Sequence, residues 1–283
     1  MKEVADNIEK WRRYYANTCP AHQGGYAKKP LVCACETAAQ VQTYIECVIP
    51  EDYQKYQLDD FTGMKDGKRL VKEKVVQEAR QQLVSYCWTG IEEGEDFDMK
   101  TWWPRTAMDK RRRSGSSIII YGNPWASSTA TGTVKTFRQP IGRTMLAAIV
   151  MREAIRLRAL HGHQSDGYAW VSYNRLYDKL MQRAKDVDAF SDELTRYQNV
   201  DWLCVDGFEI EKQNEATRAF KAKVLDSFFD ERLRMGLPNI LVFQDDLSQD
   251  QHDLRQEFGI SVNSIINSSK TTRVKLLESK EGK

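Results

Sequence analysis

The sequence predicts an α/β protein, a parallel sheet with helices on both faces, preceded by a small zinc-binding segment at the N-terminus. Three observations predict it. From about residue 115, short β-branched or apolar runs alternate with longer stretches of helical periodicity. A glycine, and later a Gly-Arg-Thr triplet, stand between the first such run and the helix that follows. Four of the six cysteines crowd between Cys19 and Cys47.

The elements follow in order. Ser116–Tyr121 (SSIIIY) reads as a buried strand, and Thr144–Leu160 carries apolar residues at helical spacing. Tyr168–Ser172 is a second strand and Tyr173–Lys185 an amphipathic helix. Val200–Val205 is a third strand, ending at Asp206. Asn214–Met235 is a long helix closed by Gly236 and Pro238, and Asn239–Phe243 (NILVF) is a fourth strand. The polar tail from Lys270 to Lys283 is expected to fray. Cys87 and Cys204 stand alone in apolar surroundings and read as core residues.

A chain of 283 residues fits two domains, and 41% hydrophobic residues suffice for a sizeable core. The longest apolar runs, such as Met145–Met151, fall far short of the roughly 20 residues of a membrane helix. The charged start, MKEVADNIEKWRRYY, lacks the apolar centre and cleavage site of a secretory signal, so a cytoplasmic protein without membrane partners is expected. The net charge of +2 hides a separation. Arg105–Leu160 holds 11 Lys/Arg against 2 Asp/Glu, and Asp186–Ile260 holds 8 against 17. Such a pattern suits polyanion binding or head-to-tail self-association, and equally a solvated surface of uneven charge.

The segment CPAHQGGYAKKPLVCAC carries Cys19, His22, Cys33 and Cys35 as C-x2-H, ten residues, then C-x-C. Two short chelating pairs supply the four soft or borderline ligands of a tetrahedral zinc ion. The Gly24-Gly25 pair lets the chain reverse between them. Cys47 is the alternative for one member of the tight C-x-C pair. A closed four-ligand site of this kind is structural rather than catalytic.

A strand, a glycine and then G-[KR]-T opening a helix is a phosphate-binding arrangement, in which N–H groups at the helix start cradle the anion. Here Gly122 opens it and Gly142-Arg143-Thr144 closes it, with nineteen residues between the glycines instead of four. The extra residues, within 125–139 (WASSTATGTVKTFRQ), read as a projecting hairpin or flexible loop. Its Thr131–Thr136 stretch imitates the end of a phosphate loop, but Val134 stands where a glycine must be. Asp206 suits a magnesium-holding acid at a strand's end. The next position, where an active ATPase carries a second carboxylate, is Gly207, which leaves Glu209 as the candidate catalytic acid.

Together these residues resemble the DnaC/DnaI/IstB family of AAA+ ATPases, the helicase loaders and transposition helpers. CPAHQGGYAKKPLVCAC resembles the loaders' zinc segment, VIPEDYQKYQLDDFTG their entry segment, and IIIYGNP…IGRTMLAAIVMREAI their Walker A strand, loop and helix. YQNVDWLCVDGFE is similar to Walker B, and RLRMGLPNILVFQDDLSQDQHDLRQEFG to the run through sensor 1. The resemblance implies an AAA+ P-loop core at 116–283, entry elements at 49–115 and a helical, zinc-binding segment at 1–48. It implies ATP with Mg²⁺ at Gly122, Gly142, Arg143, Thr144, Asp206 and Asp245. It also implies a replicative helicase docked on the zinc segment, single-stranded DNA, and self-assembly. Lys110, Arg111, Arg112, Arg113, Lys135 and Arg138, with Trp102, Trp103 and Trp125 as stacking platforms, are the DNA candidates.

The chain departs from the family where hydrolysis depends on it. Arg143 replaces the Walker A lysine and Gly207 the catalytic acid. An acid, Asp245 or Asp246, falls at sensor 1, and the late arginine pair is missing from SVNSIINSS, with Arg255 and Arg273 out of register. The expectation is therefore a pseudo-ATPase adaptor in replication, encoded by a phage or mobile element. The alternatives are an ATPase rewired around Arg143, Lys135 and Glu209, or an IstB-like transposition helper on double-stranded DNA.

Overall fold

Ile118, Ile119 and Ile120 are all fully buried, yet they serve two different cores. Successive side chains of a strand point to opposite faces, so a strand buried on both faces needs an unbroken apolar run. The computed structural model describes residue 10 and residues 34–65, 68–87, 97–98, 103–104, 111, 114–122, 125–128, 135–138, 141–160, 167–185, 192–210, 214–245, 247 and 254–276.

Helix α1 (Ala34–Val48) leads into two single 3-10 turns, Glu51–Tyr53 and Leu58–Asp60. A two-residue ribbon, β1 (Met64–Lys65) with β2 (Lys68–Arg69), precedes helix α2 (Glu73–Cys87). A second ribbon pairs β3 (Phe97–Asp98) with β4 (Trp103–Pro104). Then come β5 (Ile118–Gly122), a hairpin of β6 (Trp125–Ser128) and β7 (Lys135–Arg138), and helix α3 (Arg143–Leu160). The insert is thus a hairpin. The chain continues through β8 (Tyr168–Ser172), α4 (Tyr173–Lys185), α5 (Asp192–Asn199) and β9 (Trp202–Phe208). It ends with α6 (Glu215–Arg234), β10 (Asn239–Phe243), α7 (Leu254–Asn267) and β11 (Thr272–Leu276).

The main sheet runs β11-β5-β10-β9-β8, with every pair parallel. Ile118, Ile120, Cys204, Ile240 and Val242 pack with residues of α1, α2 and α3, including Ile45, Leu83 and Val150. Ile119, Leu203, Val205, Leu241 and Phe243 pack with Leu176, Leu194, Phe228 and Phe258 of α4 to α7. The result is three layers, helix–sheet–helix. Cys87 and Cys204 are buried as expected, and burial pushes both thiols up, Cys204 further raised by the Asp206 charge. Among the described residues no helix is long and apolar enough to cross a membrane.

One expectation is corrected. Thr272–Leu276 does not fray: it pairs along the whole of β5, with Val274 and Leu276 buried. Its alternation places apolar side chains in the core and Arg273 at the surface.

From β5 the chain leaves for the far edge at β8, then returns through β9 and β10, and finally adds β11 beyond β5. Ligands of open parallel sheets bind outside the carboxyl ends of the strands where the order reverses. That place here is the end of β5, beside β10.

Candidate nucleotide site

Three chain segments meet at this end of the sheet. β5 stops at Gly122, β10 runs into Gln244, and α3 begins at Arg143. The tip of β10 is fixed on both sides: the Gln244 amide donates to the Phe208 carbonyl at 2.6 Å, and the Gly122 amide to the Asp245 carbonyl at 3.4 Å. Arg143 closes the frame. Its Nη1 donates to the carbonyls of Gly122 and Gln244, both at 2.7 Å, and its Nη2 to Gln244 Oε1 at 2.7 Å. Only 7% of the residue is exposed. The guanidinium is therefore threaded between the ends of two adjacent strands.

Asp206 lies near the carboxyl end of β9, two residues before Phe208 and beside Arg143. Burial raises its carboxyl above the ordinary range, while the Thr144 hydroxyl, the Arg143 charge and the Gly207 amide work against that rise. Its buried Oδ1 has no hydrogen-bond partner among the described residues. A buried carboxylate oxygen without a donor, next to a hydroxyl, is a hard-oxygen setting that suits Mg²⁺. Tyr53, from the first 3-10 turn, reaches the same place. Its phenol is raised by burial and by the Asp206 charge, with Thr144 opposing.

A cleft of about 550 Å³ opens over this frame. One wall is Tyr53, Tyr56 and Asp60–Met64, and the other is Ile141–Met145 with Gln244. The wall is pinned from behind. Arg152 Nη1 donates to the Gln54 and Tyr56 carbonyls at 3.2 Å, and Arg80 donates to Phe61 O at 3.0 Å and Asp59 O at 2.8 Å. Gly142 takes φ +86°, and a Cβ there would lie 2.6 Å from the Phe61 ring. Glycine is therefore required where the entry segment lies on the start of α3.

The structure brings Gly122, Gly142, Arg143, Thr144 and Asp206 together. Asp245 is near them in a different role, because its Oδ2 accepts from the Ile210 amide at 2.7 Å and holds the turn after β9. The side chain beside Arg143 at the end of β10 is instead Gln244, a neutral amide. The acid expected at that place is corrected accordingly. The signal that marks Gln244 is its position directly after the buried run NILVF. Gly207 has φ +93°, and a Cβ there would meet only Gln244 Nε2, at 3.7 Å. Space thus permits a side chain at 207, and the backbone conformation disfavours one. Glu209 is half-buried, one residue past β9, and does not line the cleft.

Of the DNA candidates, Lys135 and Arg138 lie on the β6–β7 hairpin, paired in register with Ser128 and Trp125. Arg111 is half-buried and differently employed. It donates to the Ser85 and Tyr86 carbonyls at 3.4 Å and covers the Tyr86 ring at 5.1 Å, closing the end of α2. Lys110, Arg112 and Arg113 lie outside the described residues, as do Cys19, His22 and Cys33. Cys35 sits in the first turn of α1, and its side chain is likewise outside them. Cys47 is twelve residues along the same helix, or about 18 Å at the rise of an α-helix, so Cys35 and Cys47 cannot share one metal ion. Among the described residues no three ligating side chains converge.

No protein-family model matches the chain, and no curated protein matches it. Among solved structures it is similar to the DnaC helicase loader, with a TM-score of 0.50 and 14% identity over 80% of this chain and 99% of that one. DnaI follows with 0.44 and 14% over 81% and 94%. AMPPCP-bound DnaA from Aquifex aeolicus gives 0.37 and 17% over 78% of this chain and 50% of that one. With its five parallel strands, two helical layers and a cleft at the end of β5, the chain has a DnaC-like fold.

Proposed function

We propose that this chain is a helicase-loader-like replication protein that acts as an adaptor, with a nucleotide site that binds but does not turn over. The carrying observation is Arg143. Phosphoryl transfer is catalysed almost entirely by positioning and by stabilising charge on the transferred group. The cation at the phosphate-loop position is held by Gly122 O, Gln244 O and Gln244 Oε1. No carboxylate follows Asp206, because Gly207 stands there. The amide oxygen of Gln244, an acceptor suited to orienting water, is engaged by Arg143.

Thr144 and Asp206 support retention of a magnesium-bound nucleotide, with the orphaned Asp206 Oδ1 as the metal's anchor. Partners follow from the resemblance. A replicative helicase docks on the zinc segment built by Cys19, His22, Cys33 and Cys35, and single-stranded DNA contacts Lys135 and Arg138 of the hairpin together with Lys110, Arg112 and Arg113.

The test is a calorimetric titration of zinc-replete protein with Mg-ATP, then a phosphate-release assay on the same sample. Binding without release is expected. Turnover overturns the adaptor reading in favour of a rewired ATPase, which the retained Thr144–Asp206 pair favours as the second reading. Arg143→Ala, Lys135→Ala and Glu209→Gln then identify the replacement machinery. No binding at millimolar nucleotide overturns the nucleotide-site part of the proposal.

A further inference from the structure

We infer that the cleft selects a nucleoside diphosphate over a triphosphate, because Arg143 and Gln244 are bonded to each other where a terminal phosphate needs both. The inference rests on reading the cleft as a nucleotide site, and it assigns to these two residues the discrimination between phosphate lengths.

Two separate sets of groups are available to phosphates here. The first is the start of α3. Its first intrahelical bond is Leu146 N to Gly142 O, so the Thr144 and Met145 amides of the opening turn have no partner within the helix. These amides, with a cation held between Thr144 and Asp206, suit an inner phosphate. They do not depend on the Arg143 side chain.

The second set is Arg143 and Gln244, which line the cleft next to that turn. A terminal phosphate is stabilised by a cation and a polar side chain that turn towards it. Here the cation donates three short bonds into the ends of β5 and β10. Turning it outward strips the Gly122 and Gln244 carbonyls and the Gln244 amide oxygen of their donor. The Gly122 carbonyl is buried and the two Gln244 oxygens are part-buried, and a buried acceptor left without its donor costs more than an average hydrogen bond returns. The added phosphate also brings negative charge towards Asp206 and into a place where the amide oxygen is already committed. The inner phosphate keeps its partners, and the terminal one loses the contacts that would repay its desolvation.

The geometry of arginine matters. Its planar fork reaches two carbonyls and an amide oxygen at once, which a lysine ammonium at the same position cannot reproduce in one plane. Arg143→Lys should therefore release the charge to the cleft. Gln244→Ala removes one of the three acceptors and opens space at the same place.

The experiment compares ADP with AMPPCP, each with Mg²⁺, by calorimetry on the full zinc-replete chain. The expected result is a dissociation constant at least about tenfold lower for ADP, the cost of about one charge-assisted hydrogen bond. In Arg143→Lys that ratio falls to about threefold or less, with an intermediate value in Gln244→Ala. Thermal melting confirms that each variant is folded, and Gln244→Ala serves alone if Arg143→Lys is not. A ratio near one in the unaltered chain overturns the inference, as does an undiminished ratio in the folded variants. Neither ligand binding overturns the nucleotide-site reading itself, and the inference with it.

Discussion

At the scale of single residues, Asp206, the proposed metal anchor, carries an ionisable group held at a cost to stability. Burial is the largest influence on its carboxyl and raises it. Between the ordinary aspartate pKa and the raised folded value, the folded state keeps a proton that the unfolded chain has released. Stability therefore falls as pH rises through that window, and at neutral pH the ionised carboxylate is a net burden. Asp206→Asn is expected to melt higher than the unaltered chain at pH 7, by about 1 kcal/mol or some 2–4 °C. The gap should close below the ordinary aspartate range, where the carboxyl is protonated in both states. With Mg-nucleotide added the order should reverse, because only the carboxylate anchors the metal and gains the linked stabilisation. Melting curves across pH check this, and an Asp206→Asn protein less stable at neutral pH would refute it. Asp206 was legible because an acid closing the buried run VDWLCV has few structural reasons to be there. Gln244 was marked only by its place after NILVF, and its partnership with Arg143, 101 residues away in the chain, was not legible.

At the scale of elements, Arg232 joins three of them. It is fully buried in the last turn of α6. It donates to Tyr197 O at 2.8 Å, Gln198 O at 3.1 Å and Val200 O at 2.9 Å, the carbonyls at and just past the end of α5. It also donates to Pro238 O at 2.8 Å and to Asn239 Oδ1 at 2.7 Å, where β10 begins. The end of a helix offers unsatisfied carbonyls and the negative pole of its dipole, so a cation satisfies both at once. Arg232→Met is expected to lose about 3–5 kcal/mol in urea unfolding. Arg232→Lys should recover only part, having three donors for five acceptors. A loss below about 1 kcal/mol for Arg232→Met would mean that the neighbouring elements hold without it. No sequence pattern marks this arginine, because its partners come together only in three dimensions. The elements with a clean period were legible: NILVF is buried at all five positions, and Tyr168–Ser172 and Tyr173–Lys185 have their expected bounds. β9 runs on to Phe208 because Gly207 accepts a conformation most residues avoid and Phe208 still pairs with β10. β11 was obscured by its charges, although Val274 and Leu276 alternate with Arg273 and Lys275 as a strand requires. Arg111 shows a limit of another kind, since a basic run in sequence does not reveal that one of its members lies over the end of a helix.

At the scale of the whole molecule, the sheet divides two apolar cores, and α1 belongs to the first. Its anchors are Ala39, Ile45 and, just past its end, Ile49, all buried, with Tyr44 edge-on to Tyr168 at a centroid distance of 5.7 Å. Every one of these lies beyond Cys35. The described side chains that attach α1 to the core are thus at positions other than the proposed zinc ligands, Cys19, His22, Cys33 and Cys35. A metal site can be removed without touching the core when the packing that holds its neighbour is separate from it. One zinc ion per chain is expected by elemental analysis, and chelation should shift the melting of the core by no more than about 2 °C, or about 1 kcal/mol for a chain of this size. Small metal-held segments depend on their ion for folding, so the same treatment should open residues 1–33 to protease while residues 34–283 resist. Cys35→Ser should reproduce both effects without chelator. A metal-free purified chain would refute the zinc site. A collapse of the core on chelation would mean instead that the metal stabilises α1 and the sheet behind it, which would make the N-terminal segment part of the main body and not a separate docking element.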